Sequence, residues 1–183
     1  MKIIDTQING LKILVPNVFE DKRGKFVKTF NDTFFQEHDL NIEIKETYYS
    51  LSNKNVIRGM HFQSPPDDHI KLVYVPHGKI LDVVLDIRKD SLTYGKYFSI
   101  ELSSENSKIL IIPKGLAHGF KSLADDTNVT YMQTTTYSPN CDHGIRFDSF
   151  GFNWKVQDPE LSERDIAFET FTKFQTPFIV EKK

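Results

Sequence analysis

The feature that most constrains this chain is the period of its apolar residues, which stays close to two along most of its 183 residues. Alternation at that period puts successive side chains on opposite faces of an extended segment, so it describes half-buried strands rather than helices. Segments 25–30, 42–51, 55–63, 71–75, 79–87, 96–102, 108–112, 119–123 and 129–137 all carry it. They are rich in the β-branched and aromatic residues that pack well on a pleated surface. Turn-forming clusters separate them, among them Asp21-Lys22-Arg23-Gly24, Ser64-Pro65-Pro66-Asp67-Asp68, His77-Gly78 and Ser138-Pro139-Asn140. Short strands joined by polar turns predict an antiparallel sandwich or barrel of nine or ten strands. Helix is confined to two short pieces. One runs from Asp32 through His38 with Asn31 or Asp32 as its cap, and one starts at the capping residue Ser162. No linker, repeat or low-complexity tract interrupts the chain, so residues 1–183 are expected to form one domain. The terminal Glu181-Lys182-Lys183 is expected to fray.

Charge and cysteine usage narrow the functional classes. Lys and Arg total 23 against 25 Asp and Glu, a net charge of -2, so no global field marks a nucleic-acid or membrane-surface partner. Any basic site must be local. The lone Cys141 can make neither an internal disulfide nor a thiolate metal site, which suits a reducing compartment. Asp5, Asn9 and Lys12 interrupt the N-terminal segment before a signal-peptide core could form, and no apolar run is long enough to span a bilayer. A cytoplasmic location is expected. The 15 Phe and 7 Tyr exceed what turns and surface need, so most should fill the interior.

Several polar residues interrupt that interior pattern. In a regular strand over Arg58-Gly59-Met60-His61-Phe62-Gln63, His61 and Gln63 share one face, and Arg58, Met60 and Phe62 share the other. His61 is a candidate general base if a carboxylate orients its second nitrogen, although a hydrogen-bonded core histidine is the commoner fate. Lys71 begins an apolar strand. Arg23 and Arg58 each precede a glycine, which would let a phosphate approach the backbone. Tyr131 and Tyr137, six residues apart, fall on one face of a regular strand.

Pro113-Lys114-Gly115-Leu116-Ala117-His118 resembles the second motif of the cupin superfamily, in which a turn delivers a histidine to the mouth of a jelly-roll barrel. The first cupin motif would need a His-x-His pair, and here the chain has His61-Phe62-Gln63, with His69 in a different turn. A metal-free barrel is therefore expected. Taken together, Asp21-x-Arg23-Gly24-x-Phe26, Asn55 through Gln63, Lys71-Leu72-Val73, Asp82 through Arg88, Ile112 through Phe120, Tyr137-Ser138-Pro139, Gly144 through Asp148 and Leu161-Ser162-x-x-Asp165 resemble the dTDP-4-dehydrorhamnose 3,5-epimerase family over nearly the whole chain.

That resemblance implies a mainly β fold, a cupin-type double-stranded antiparallel β-helix (jelly roll) with short flanking helices. It implies a cofactor-independent epimerase that inverts C3, C5 or both of a nucleotide-linked 4-keto-6-deoxy sugar for surface-polysaccharide synthesis. His61 would be the base, Asp165 its partner, Tyr131 the acid and Lys71 the oxyanion holder. Arg23, Phe26, Arg58, Gln63, His118 and Tyr137 would contact the substrate, partly across a strand-exchanged homodimer. Lys28, Glu46, Tyr48 and Met132 depart from the family pattern at or beside such contacts, Lys28 and Tyr48 at binding positions. They leave CDP- or GDP-linked sugars open beside dTDP. A 3,4-ketoisomerase and a non-catalytic sugar-nucleotide binding cupin are the alternatives.

Overall fold

In the computed structural model, which describes residues 1–179, the N-terminal third of the chain already contributes to both sides of a sandwich. The terminal triplet 181–183 lies outside the described residues. The strands are β1 (Lys2–Asp5), β2 (Lys12–Val15), β3 (Val18–Asp21), β4 (Gly24–Val27), β5 (Glu46–Ser52), β6 (Ile57–Gln63), β7 (Lys71–His77), β8 (Lys79–Asp86), β9 (Tyr97–Ser103), β10 (Ile109–Ile112), β11 (Leu116–Ser122), β12 (Thr127–Gln133) and β13 (Asp142–Gly144). The helices are α1 (Asp32–Gln36) and α2 (Glu163–Ala167). One sheet has the order β1-β2-β10-β7-β12-β5 and the other β13-β6-β11-β8-β9, while β3 and β4 form a separate hairpin. Every pairing between these strands is antiparallel.

The nine or ten strands read from the pattern thus become thirteen among the described residues. β1, β2, β3 and β13 are four residues or fewer, too short to display an alternation of their own. Segment 129–137 is also shorter than expected, because β12 ends at Gln133. Both helices sit where capping chemistry put them: Asn31 accepts from the Phe34 N–H, and Ser162 accepts from the Asp165 N–H.

Alternation sorts the side chains into three layers. Val73, Val75, Ile80, Val84, Phe120, Val129 and Tyr131 meet between the sheets. Leu72, Met132 and Phe35 belong to an outer cluster under α1, and Met60, Phe62, Val83 and Leu85 pack beneath the C-terminal segment. Met132 therefore faces away from the space between the sheets. Fully buried Phe35 anchors α1 on that outer face, and its truncation to alanine should cost about 3–5 kcal/mol.

One irregularity matters for function. His118 of β11 stands opposite His61, but Phe120 stands opposite Arg58, so β6 holds one residue more than its partner. The extra residue reverses the parity of Arg58, which turns inward with His61, while Met60 stays in the outer core. The face assignment of a regular strand is corrected accordingly. Gly59 is required by the same crossing: its φ is +136°, and an added Cβ would lie 2.5 Å from the Gly119 Cα. Its missing side chain makes room for a neighbouring strand rather than for a phosphate.

Candidate active site

At one end of the sandwich the inward faces of β5, β6, β7, β11 and β12 enclose a cavity of about 380 Å³. Strand parity places its walls. Glu46, Tyr48 and Ser50 come from β5, Lys71 from β7, His118 from β11, and Tyr131 and Gln133 from β12. From β6 come Arg58, His61 and Gln63, with Phe62 at its edge.

His61 Nε2 lies 2.8 Å from Asp165 Oδ1, and the other carboxylate oxygen accepts from the Gly59 N–H at 3.0 Å. Asp165 is 104 residues away and is the buried member of α2, whose cap Ser162 fixes the turn that aims it. Burial pushes the Asp165 carboxyl up, but bonds from His61, Gly59 and Ser162 outweigh it and hold the group below its ordinary range. A carboxylate at Nε2 keeps a proton there, which leaves Nδ1 as the basic nitrogen. The ring of Phe168 stands edge-on to His61 at 5.7 Å; its seat requires Gly144, since a Cβ there would fall 2.2 Å from that ring.

Lys71 is 92 % buried, and that desolvation lowers its ammonium from the ordinary 10.5 to about 8, against the opposing charges of Asp142 and Asp82. It is not the snorkelling surface lysine that its sequence position most often implies. Tyr131 has its phenol pushed above the ordinary value by burial, with the charges of Tyr48 and Asp82 adding to the effect. It is therefore a protonated group at neutral pH. His118 forms a second histidine–carboxylate pair, with Nε2 2.7 Å from Asp82 Oδ2. His69 also reaches the wall, where burial and then Lys71 and Lys114 lower its pKa to about 3, so the ring is neutral.

Other expected contacts divide. Arg58 lines the cavity, its guanidinium donating to Ser52 Oγ at 3.0 Å and to the Leu51 carbonyl at 3.1 Å. Gln63 spends its amide on two loops, donating to the Asp67 carbonyl in the turn before β7 and accepting from the Ser138 N–H in the 134–141 loop. That loop carries Tyr137 to the cavity mouth, where its backbone N–H donates to Glu46. Arg23, Phe26 and Lys28 do not reach the cavity of this chain. Arg23 and Phe26 sit on the β3–β4 hairpin, where Arg23 pairs with Asp21 at 2.6 Å and Phe26 leans on Phe19 at 61 % exposure. Lys28 is exposed just past β4. The physical reason is that this hairpin pairs only with itself and is tied through Lys25 to the carbonyls of Ser104 and Glu105, in the turn after β9.

Sequence reasoning missed Ser50, Gln133, Asp82, Asp142 and Arg164. Parity could have found the first two, two residues from Tyr48 and Tyr131, and Asp82 stands out as a charge in the apolar run of β8. Asp142 and Arg164 meet at 2.6 Å from separate segments and carry no local signal.

A jelly roll whose interior ends in a histidine–carboxylate pair, a buried lysine and a protonated tyrosine is equipped for the class of reactions that move a proton beside a carbonyl. The comparisons make the class specific. The dTDP-4-dehydrorhamnose 3,5-epimerase family matches residues 5–173. The enzyme of that name from Methanothermobacter thermautotrophicus is 41 % identical over 169 residues, 90 % of this chain and 91 % of its own. A Legionella pneumophila dTDP-6-deoxy-D-glucose-3,5-epimerase, solved with dTDP-4-keto-L-rhamnose, is 34 % identical, with a TM-score of 0.90 over 95 % of this chain and 94 % of its own. The Bacillus anthracis dTDP-4-dehydrorhamnose 3,5-epimerase, solved with TDP and PPi, is 34 % identical, with a TM-score of 0.89 over 92 % of this chain and 98 % of its own. This chain belongs to the dTDP-4-dehydrorhamnose 3,5-epimerase family.

Proposed function

We propose that this chain inverts C3, C5 or both of a dTDP-linked 4-keto-6-deoxy sugar, without a cofactor, by forming an enolate and reprotonating it from the opposite face. The observation that carries the reading is the His61–Asp165 pair at 2.8 Å, open to a cavity that also holds Lys71 and Tyr131. A carbonyl at C4 acidifies the hydrogens on both flanking carbons. His61 Nδ1 takes one of them, and Asp165 stabilises the imidazolium that results. Negative charge then moves to the carbonyl oxygen, where the Lys71 ammonium, strengthened by its dry surroundings, is the partner. Tyr131 returns a proton from the other side, and the carbon is inverted.

Arg58, Tyr137 and Tyr48 line the same space and serve to hold the sugar and the diphosphate, against a wall to which the enclosed His118 contributes. Arg23 and Phe26 act from a second copy: they stand on an exposed hairpin, with the exposed Val18 and Phe19 beside them, as strand exchange in a homodimer would require. The chain works as a single domain in the cytoplasm. The ligands of the Legionella and Bacillus structures support dTDP over CDP or GDP.

Incubation with dTDP-4-keto-6-deoxyglucose in deuterium oxide, followed by NMR, should show deuterium at each inverted carbon. His61→Asn should slow it about 10³-fold. Label without inversion, accompanied by a carbonyl moved to C3, would instead identify a ketoisomerase. Light scattering that returned a monomer would overturn the strand-exchanged dimer.

A further inference from the structure

Tyr131 is flanked by three groups at different ranges. His118 stands edge-on at 6.2 Å between ring centroids, and the Lys71 ammonium is 6.0 Å from the ring. Tyr48 is much closer, its ring stacked 4.7 Å away and only 19° from parallel. The two tyrosines are direct register partners on β5 and β12, so the stack is built into the strand pairing. Tyr48 is braced in turn. Its phenol donates to Gln133 Oε1 at 3.4 Å, and Gln133 donates to Glu46 at 3.3 Å.

The chemistry has a branch point at which such a stack acts. Once a C–H bond has broken and its proton has passed to His61, the enolate has two fates. The imidazolium can return a proton to the original face, restoring the substrate. The Tyr131 O–H can instead deliver its proton to the opposite face, giving the inverted carbon and a phenolate that solvent reprotonates. Proton removal depends on His61, whereas the branch depends on where the phenol sits.

We propose that Tyr48 is a positioning residue: by stacking on Tyr131 it holds the phenol over the enolate carbon and so sets how often the enolate inverts rather than reverts. This rests on the epimerase reading above.

The test is a ratio measured in deuterium oxide: labelled, uninverted substrate against inverted product at each carbon. Tyr131→Phe, which can only revert, supplies the upper limit. Tyr48→Leu removes the stack and should raise the ratio about tenfold towards that limit, a change within the range of a misplaced acid. Tyr48→Phe keeps the stack and should stay within about twofold of the parent. An unchanged ratio in Tyr48→Leu overturns the proposal, as does a rise in Tyr48→Phe equal to that in Tyr48→Leu. A general loss of structure lowers both products together and leaves the ratio unmoved. A parent enzyme that neither labels nor inverts would break the epimerase reading itself, a result distinct from a working parent indifferent to Tyr48.

Discussion

The cavity holds the same pair of residue types twice, side by side. His61 and His118 are register partners on β6 and β11, and each binds a carboxylate through Nε2, at 2.8 Å and 2.7 Å. The His61 side chain is 30 % exposed and that of His118 only 5 %. Their carboxylates also differ. Asp165 arrives from a capped helix outside the sheet and has both oxygens partnered, while Asp82 lies within the sheet on β8 and keeps one buried oxygen without a partner. Identical chemistry therefore serves two ends. The accessible ring can exchange a proton with a substrate, whereas the sealed pair secures the wall behind it.

The largest effect expected from breaking this comparison is on turnover at the open pair. His61→Asn should lower kcat about 10³-fold, and Asp165→Asn about 10²-fold, with circular dichroism unchanged. If Asp165→Asn behaved like the parent, the open pair would lose its special status. Lys71→Met should cost about 10²- to 10³-fold in kcat, as the loss of an oxyanion donor does. It should also stabilise the fold by about 1–3 kcal/mol in urea, because a buried ammonium is replaced by an apolar chain of similar length.

The closed pair should show the reverse balance. Asp82→Ala leaves His118 buried without its partner and should destabilise the protein by about 2–4 kcal/mol, with a smaller loss of kcat than Asp165→Asn. A pH series sharpens the contrast further. Lys71 is needed charged, so kcat/KM should fall as pH rises through about 8. Its folded pKa lies below the unfolded 10.5, so between those values the unfolded chain holds more protons. The Lys71 contribution to stability should therefore rise over the same window, opposite in direction to activity. The smallest effect belongs to Arg164, whose pair with Asp142 is half exposed on the arginine side. Arg164→Ala should change stability by less than about 1 kcal/mol.

Much of this site was legible along the chain because strand parity is a local rule. Lys71 starts a strand that is apolar on both faces, so only the tertiary structure decides that it turns inward, whereas His61 with Gln63 follows from counting by two. Tyr131 follows likewise, and Glu46, Tyr48 and Ser50 share a face for the same reason. Arg58 escaped the rule through one extra residue in β6, an irregularity visible only against the opposing strand. Arg23, Phe26 and Lys28 escaped it because a hairpin that pairs only with itself is not placed by any sheet register.

What the sequence determined alone was periodicity, turns and caps: a mainly β chain, two short helices and a set of inward-facing polar residues, each a consequence of neighbours in the chain. The tertiary structure decided which of those residues meet. Asp165 and His61 are 104 positions apart, and only the packing of α2 against β6 makes them a pair. It also decided that His118, so similar in sequence terms, is shut away. Burial and partnership are properties of the space between strands, which local pattern does not encode.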